Sequence, residues 1–255
     1  MDEKDLFLAD IRKSLGYSAQ DARTTQECAS LFASADDAAV LERIQYRTHV
    51  EKQALLKILQ ENAEKINLDV QPVKSLADAA TRIVEIVEKA EPEFGHTKQL
   101  IQHDDTVLAK LQLWKRFSGK AVQVHTAYAV DSQVREKSIA SYVGLTAPRW
   151  AVAESATIVE LGEPGRPRST SLVPSVHIAL IHLKDVLAEL SEVYAMLRQQ
   201  PPEHSCLFIS GPSKTAEIEA HMVHGAHGPR QVHLVVVDEQ LKEAEGLRGS
   251  GLFSS

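Results

Sequence analysis

The apolar positions change rhythm along this chain. Up to residue 66 they recur at helical spacing. Leu6, Ile11 and Leu15 share one stripe that ends near Gly16. A longer stripe, opened by Asp36 or Asp37, runs through Val40, Leu41, Ile44, Val50, Leu55, Ile58 and Leu59. This spacing predicts a helical N-terminal arm over residues 1–66. The arm serves either as a cover for the core of the following domain or as a surface for a partner.

Short apolar runs then alternate with amphipathic stretches. Strands are predicted at 68–73, 98–102 and 121–125. Helices are predicted from Ser75 to Ala90, over 104–117 ending at Gly119, and over about 131–142 with a stop at Gly144. This alternation predicts crossover connections, hence an α/β fold: a mostly parallel sheet with helices on both faces, over residues 67–240. The rhythm breaks at 150–153 and 157–161, two apolar runs separated by Glu154-Ser155-Ala156. A turn-rich loop over 162–171 follows, carrying Arg166 and Arg168. A strand over 176–181 with His177 at its start, a helix over 184–199, and strands over 207–210 and 232–237 complete the domain. Residues 241–255 read as a disordered tail.

Composition narrows the function classes. The net charge of −7 lacks the basic footprint of a nucleic-acid binder. No apolar run approaches the ~20 residues of a membrane span, and Met1-Asp-Glu-Lys-Asp5 is too acidic for a signal peptide, so a cytoplasmic protein is expected. Two cysteines, Cys28 and Cys206, cannot hold an iron–sulfur cluster alone, so any such centre is expected on a partner.

Candidate chemistry concentrates late in the chain. The run Ser205–Glu219 reads as a buried strand that stops at Gly211-Pro212 and turns into a helix opened by Ser213 or Thr215. Gly211 permits close backbone approach and Pro212 presets the turn. In the Ser210–Thr215 turn Lys214 adds a cation, the Ser213 and Thr215 hydroxyls add donors, and Glu217 complements the helix end. Such a corner favours a small anionic ligand; its plainer reading is a capped helix after a strand. His227, followed by Gly228-Pro229, is presented by small residues and titrates near neutral pH. His221, His224 and His227 are spaced by three, but Gly225 and Gly228-Pro229 would end a helix before the third joins, so no metal site is expected. Glu154, between two apolar runs, is either a solvated hairpin tip or a carboxylate turned towards a site. Arg168 is either an anion clamp or a solubilising side chain, and His177 either a site residue or a satisfied structural histidine. Together these residues are expected to line one crevice at the carboxyl ends of the strands.

Three segments carry a resemblance: Ala151-Val-Ala-Glu-Ser-Ala-Thr-Ile-Val159, Ser171-Leu-Val-Pro-Ser-Val-His-Ile-Ala179, and Ile209-Ser-Gly-Pro-Ser-Lys-Thr-Ala-Glu-Ile-Glu219 running on to Gly225-Ala-His-Gly-Pro-Arg230. In order and spacing they resemble the lactate-utilization protein C family, whose domain is called the LUD domain. The chain departs from the family pattern in three places. Ser155-Ala156-Thr157 stands for Thr-Gly-Thr, Glu217 for Asp, and His224 for an apolar residue. The resemblance implies a fold like the ribose-phosphate isomerase, CoA-transferase and formyltetrahydrofolate cyclo-ligase group. It also implies an accessory or ligand-binding role in a three-protein system oxidising L-lactate to pyruvate. In that system two partner proteins carry the iron–sulfur clusters, and this chain binds no cofactor. The competing reading is a free-standing enzyme acting on a phosphorylated or carboxylated small metabolite.

Overall fold

The computed structural model describes residues 3–16, 36–92, 97–215 and 223–240. The chain divides into a unit over residues 1–39 and a larger unit from residue 40 onward. The first contains helix α1 (Glu3–Ser14), closed at Gly16 in the left-handed region. The expected tail over 241–255 lies outside the described residues, as does Glu217.

Two sheets organise the larger unit. The main sheet has six strands, numbered here in chain order: β1 (Leu68–Val73), β2 (Lys98–His103), β3 (Val122–Ala127), β4 (Val143–Thr146), β7 (Val176–His182) and β12 (Gln231–Val237). They lie in the order β1-β12-β7-β4-β2-β3 and every neighbouring pair is parallel. The second sheet, β8-β5-β6-β9, joins β5 (Trp150–Val152), β6 (Thr157–Gly162), β8 (Val186–Leu187) and β9 (Ser205–Ile209), with antiparallel pairing of β6 to both β5 and β9. A two-stranded ribbon pairs β10 (Lys214–Thr215) with β11 (Val223–His224).

One face of the main sheet packs against α4 (Leu76–Lys89), α5 (Thr106–Lys110) and α6 (Leu113–Arg116), burying Ile83, Val87, Leu108 and Leu113 on Leu100, Leu145, Ile178 and Val235. The opposite face receives the second sheet and α3 (His49–Ile66), with Leu56, Leu59, Ala151 and Ile158 packed on Ala179, Ile181, Leu234 and Val236. Each fully buried Leu or Ile stabilises by about 2 kcal/mol relative to exposure. Burial on both faces explains why β7 and β12 read as unbroken apolar runs. Trp150, Val152 and Val159 on the far side of the second sheet pack with Val193 of α9 (Leu190–Gln199).

The α/β class and the mostly parallel sheet agree with the sequence reading, and four local expectations do not. The long stripe after Asp37 is two helices, α2 (Asp37–Gln45) and α3. Thr48 and Glu51 form a capping box, each side chain reaching the other's backbone N–H (3.3 and 2.7 Å), and restart the helix. The helix expected over 104–117 breaks at Gln112, whose φ is 49°. Residues 183–187 form a 3₁₀ turn and β8, so the next helix starts at Leu190 rather than Lys184.

Gly144 is not a helix stop. It lies in β4, between α7 (Val134–Ala140) and α8 (Ser169–Leu172), a fully buried central strand with no polar alternation to betray it.

Candidate functional site

The segments singled out in the sequence meet at the amino end of the main sheet. Glu154 is at the tip of the β5–β6 hairpin, whose backbone is tied to α3 by Asn62, donating to the carbonyls of Ala153 (3.1 Å) and Glu154 (2.9 Å). Beside it, the Thr157 hydroxyl bonds both the Ser155 and Ser210 hydroxyls, at 2.8 and 2.7 Å. The chain then turns at Gly211, with φ 83°, where a Cβ would approach the Ile66 carbonyl oxygen to 2.7 Å. Only glycine fits that contact and that torsion. Past Pro212, the Ser213 N–H donates to the Pro229 carbonyl at 2.8 Å, and the Ser213 hydroxyl accepts the His227 N–H at 3.2 Å. A Cβ on Gly228 would touch the Ser213 side chain at 3.4 Å.

The described part of the helix expected at the anion corner is strand. Ser213 opens no helix in the described residues: Lys214 and Thr215 form β10 and pair with His224 and Val223. The continuation expected to be helical, residues 216–222, lies outside the described residues. Lys214 donates to the Ile66 carbonyl at 3.2 Å, so its charge serves the carboxyl end of α3. The crevice expected at the carboxyl ends of the strands is also corrected. Ile66 precedes β1 and Pro229 precedes β12, so the cluster lies at the opposite, amino edge. Glu154 and Arg168 are exposed side chains.

His177 is not at this surface. It is fully buried, and sequence reasoning missed its neighbours, Glu160, Thr146 and Ser171. His177 Nε2 is 2.8 Å from the Thr146 hydroxyl and 3.3 Å from Glu160 Oε1, and the Ser171 hydroxyl donates to Glu160 Oε2 at 2.7 Å. Glu160 projects from β6 on the side of Ile158, between the sheets. Burial opposes its ionisation, but His177, His103 and Thr146 outweigh that and hold its pKa at about 2. The signal was available: Thr157-Ile-Val-Glu-Leu161 places a carboxylate in mid-strand, where it has to be paired. His103, at the end of β2, is also buried, near Glu160 and the Pro167 backbone. Burial pushes its pKa down to about 4, against the opposing charge of Glu160.

A stability profile follows from His103. In the unfolded chain its imidazole takes up a proton near pH 6.5, but in the folded chain only near pH 4. Lowering the pH between those values favours the unfolded state. Between pH 7 and pH 5 the protein is expected to lose about 2 kcal/mol from this group, and His103→Gln is expected to flatten that part of the profile. Urea denaturation at both pH values measures it; equal losses in the two proteins would refute the assignment. Glu160 acts in a lower window. Its contribution is complete above pH 4.5 and is lost as the pH falls towards 2.

The sequence profile of the LUD domain matches residues 56–237. The chain belongs to the LUD domain family. Lactate utilization protein C of Halalkalibacterium halodurans is 30% identical over 193 residues, covering 73% of this chain and 80% of that protein. Its namesake in Shouchella clausii is 30% identical over 193 residues, covering 74% and 81%, and that of Macrococcus caseolyticus 28% over 207 residues, covering 76% and 82%. The crystal structure of a DUF162 family protein from Deinococcus radiodurans aligns with a TM-score of 0.49 at 16% identity, covering 73% of this chain and 98% of that one.

In this LUD domain the three segments that carry the resemblance pack on one another: Thr157 on Ser210, Ser175 on Arg230, whose N–H it accepts at 2.8 Å, and Ser171 on Glu160, which directly follows the first segment. Ala156, standing where the family pattern has Gly, holds φ at 48° in the left-handed region. That torsion costs a residue with a Cβ about 1–2 kcal/mol and explains the glycine of the pattern. Among the described residues, no three His, Cys, Asp or Glu side chains are grouped as metal ligands, and no helix is long and apolar enough to cross a membrane.

Proposed function

We propose that this chain is the accessory, ligand-binding component of a three-protein system that oxidises L-lactate to pyruvate. In this reading, two partner proteins hold the iron–sulfur clusters. The observation that carries it is the 30% identity, over nearly three quarters of the chain, to proteins named lactate utilization protein C. The two cysteines agree with it, since electron transfer through thiolate-held clusters would need more ligands than this chain supplies.

The test is reconstitution. The two proposed iron–sulfur partner proteins are purified with and without this chain, and L-lactate-dependent reduction of an artificial electron acceptor is measured. The complete set is expected to run at least tenfold faster than the pair lacking this chain. A pair that runs at full rate alone refutes the accessory role, and turnover by this chain alone replaces it with a free-standing enzyme.

A further inference from the structure

A second polar region lies at the opposite edge of the main sheet, away from the motif segments. The carboxyl ends of β7 and β12, the turn after β7 and the first turn of α3 border a half-open cavity of about 270 Å³. That is the space of about nine waters, the scale of a small metabolite. The carboxyl edge of a parallel sheet is also where α/β folds most often hold ligands.

The lining chemistry is specific. Asp238, directly after β12, is 3% exposed and accepts from the Gln53 amide at 3.3 Å. His49 Nε2 is 2.9 Å from both Asp238 oxygens, so the carboxylate fixes the imidazole. With Asp238 as acceptor, Nε2 carries a proton and donates to the carboxylate. Lys52, one turn along α3, Lys184, after β7, and His182, the last residue of β7, line the same cavity. Arg47 also lines the cavity but is already engaged by Glu192.

We propose that this cavity binds a small 2-hydroxycarboxylate, with its carboxylate on Lys52 and Lys184 and its hydroxyl against the His49–Asp238 pair. The mixed sign of the lining selects this class. Two lysines favour one carboxylate, while Asp238 and Glu239 in the same lining penalise a bare dianion such as phosphate. A ligand hydroxyl beside the His49–Asp238 pair can also donate to the Asp238 carboxylate, and a 2-oxo acid lacks that donor. The choice of lactate as probe rests on the proposed function; the location and the ligand class rest on the cavity.

Calorimetric titration of the purified chain with L-lactate, pyruvate and inorganic phosphate tests the proposal. L-lactate is expected to bind more tightly than either of the others, and Lys52→Ala and Lys184→Ala each to weaken it about tenfold. His49→Gln is expected to erase the preference for lactate over pyruvate. Absence of L-lactate binding, or binding that survives the double lysine variant, overturns the proposal. So does binding lost in Lys214→Ala instead, which would return the ligand to the amino edge. The two readings fail separately. A reconstituted system indifferent to this chain, with lactate binding intact, refutes the functional reading alone. Failure to bind lactate, in a system that still requires the chain, refutes the cavity alone.

Discussion

Glu192→Ala is expected to destabilise the protein by about 4 kcal/mol, lowering its melting temperature on the order of 10 °C. Glu192 is fully buried at the start of α9. Arg47 bonds both of its oxygens, at 2.6 and 3.2 Å, the Ala188 N–H donates to it at 2.7 Å, and Arg43 reaches it at 3.1 Å. Burial alone would raise this carboxyl, but these donors outweigh it and hold the pKa below the usual range. The Arg43 contact is solvent-facing and contributes little. Arg47 decides the outcome: its side chain is 8% exposed, and without Glu192 a guanidinium is left buried with its main acceptor gone. Glu192→Gln, which keeps an acceptor for the Ala188 N–H, is expected to lose less. Thermal and urea denaturation of both variants decides the matter; a loss under 1 kcal/mol in Glu192→Ala would show that the pair is dispensable.

Gly144→Ala is expected to cost about 3 kcal/mol. A Cβ at this position would lie 1.7 Å from the Thr170 carbonyl oxygen and 3.1 Å from the Pro174 ring. The obstruction at Thr170 is backbone, so relief requires displacing α8 as a unit, together with the Ser171 hydroxyl that holds Glu160. Denaturation midpoints measure the cost. A variant as stable as the parent would mean that α8 yields freely. Gly119→Ala makes the comparison informative, because a Cβ there meets nothing within 4 Å and only its φ of 77° resists the change.

The parallel sheet was legible because strands buried on both faces leave unbroken apolar runs, as in Val176–His182 and Gln231–Val237. β4 was not legible: four residues, one of them glycine, carry no periodicity, and the glycine reads as punctuation until Thr170 is seen against it. The Thr48–Glu51 capping box was visible in the letters but lay inside a stripe whose spacing continued across the break. At the candidate site, the meeting of Ser210, Ser213 and His227 with the β5–β6 hairpin followed the motif segments. Their edge of the sheet did not, because strand direction relative to a turn is settled by long-range pairing. The polar core around Glu160 was hidden for a similar reason. Its members come from β4, β6, β7 and α8, and no local spacing joins them.

The order of the main sheet bears on how the chain is made. β1 is an edge strand whose one neighbour is β12, with Leu68 paired to Val232 and Val73 to Val237. A ribosome therefore delivers β1 early and its partner some 160 residues later. During synthesis β2, β3, β4 and β7 can assemble as each emerges, but β12, which separates β7 from β1, arrives last. Until then the nascent chain carries a half-built sheet with an open edge at β7 and an unpaired Leu68–Val73. At elongation rates of about 5–20 residues per second, that exposure lasts on the order of ten seconds, a window in which the unpaired strand edges are open to association with other chains.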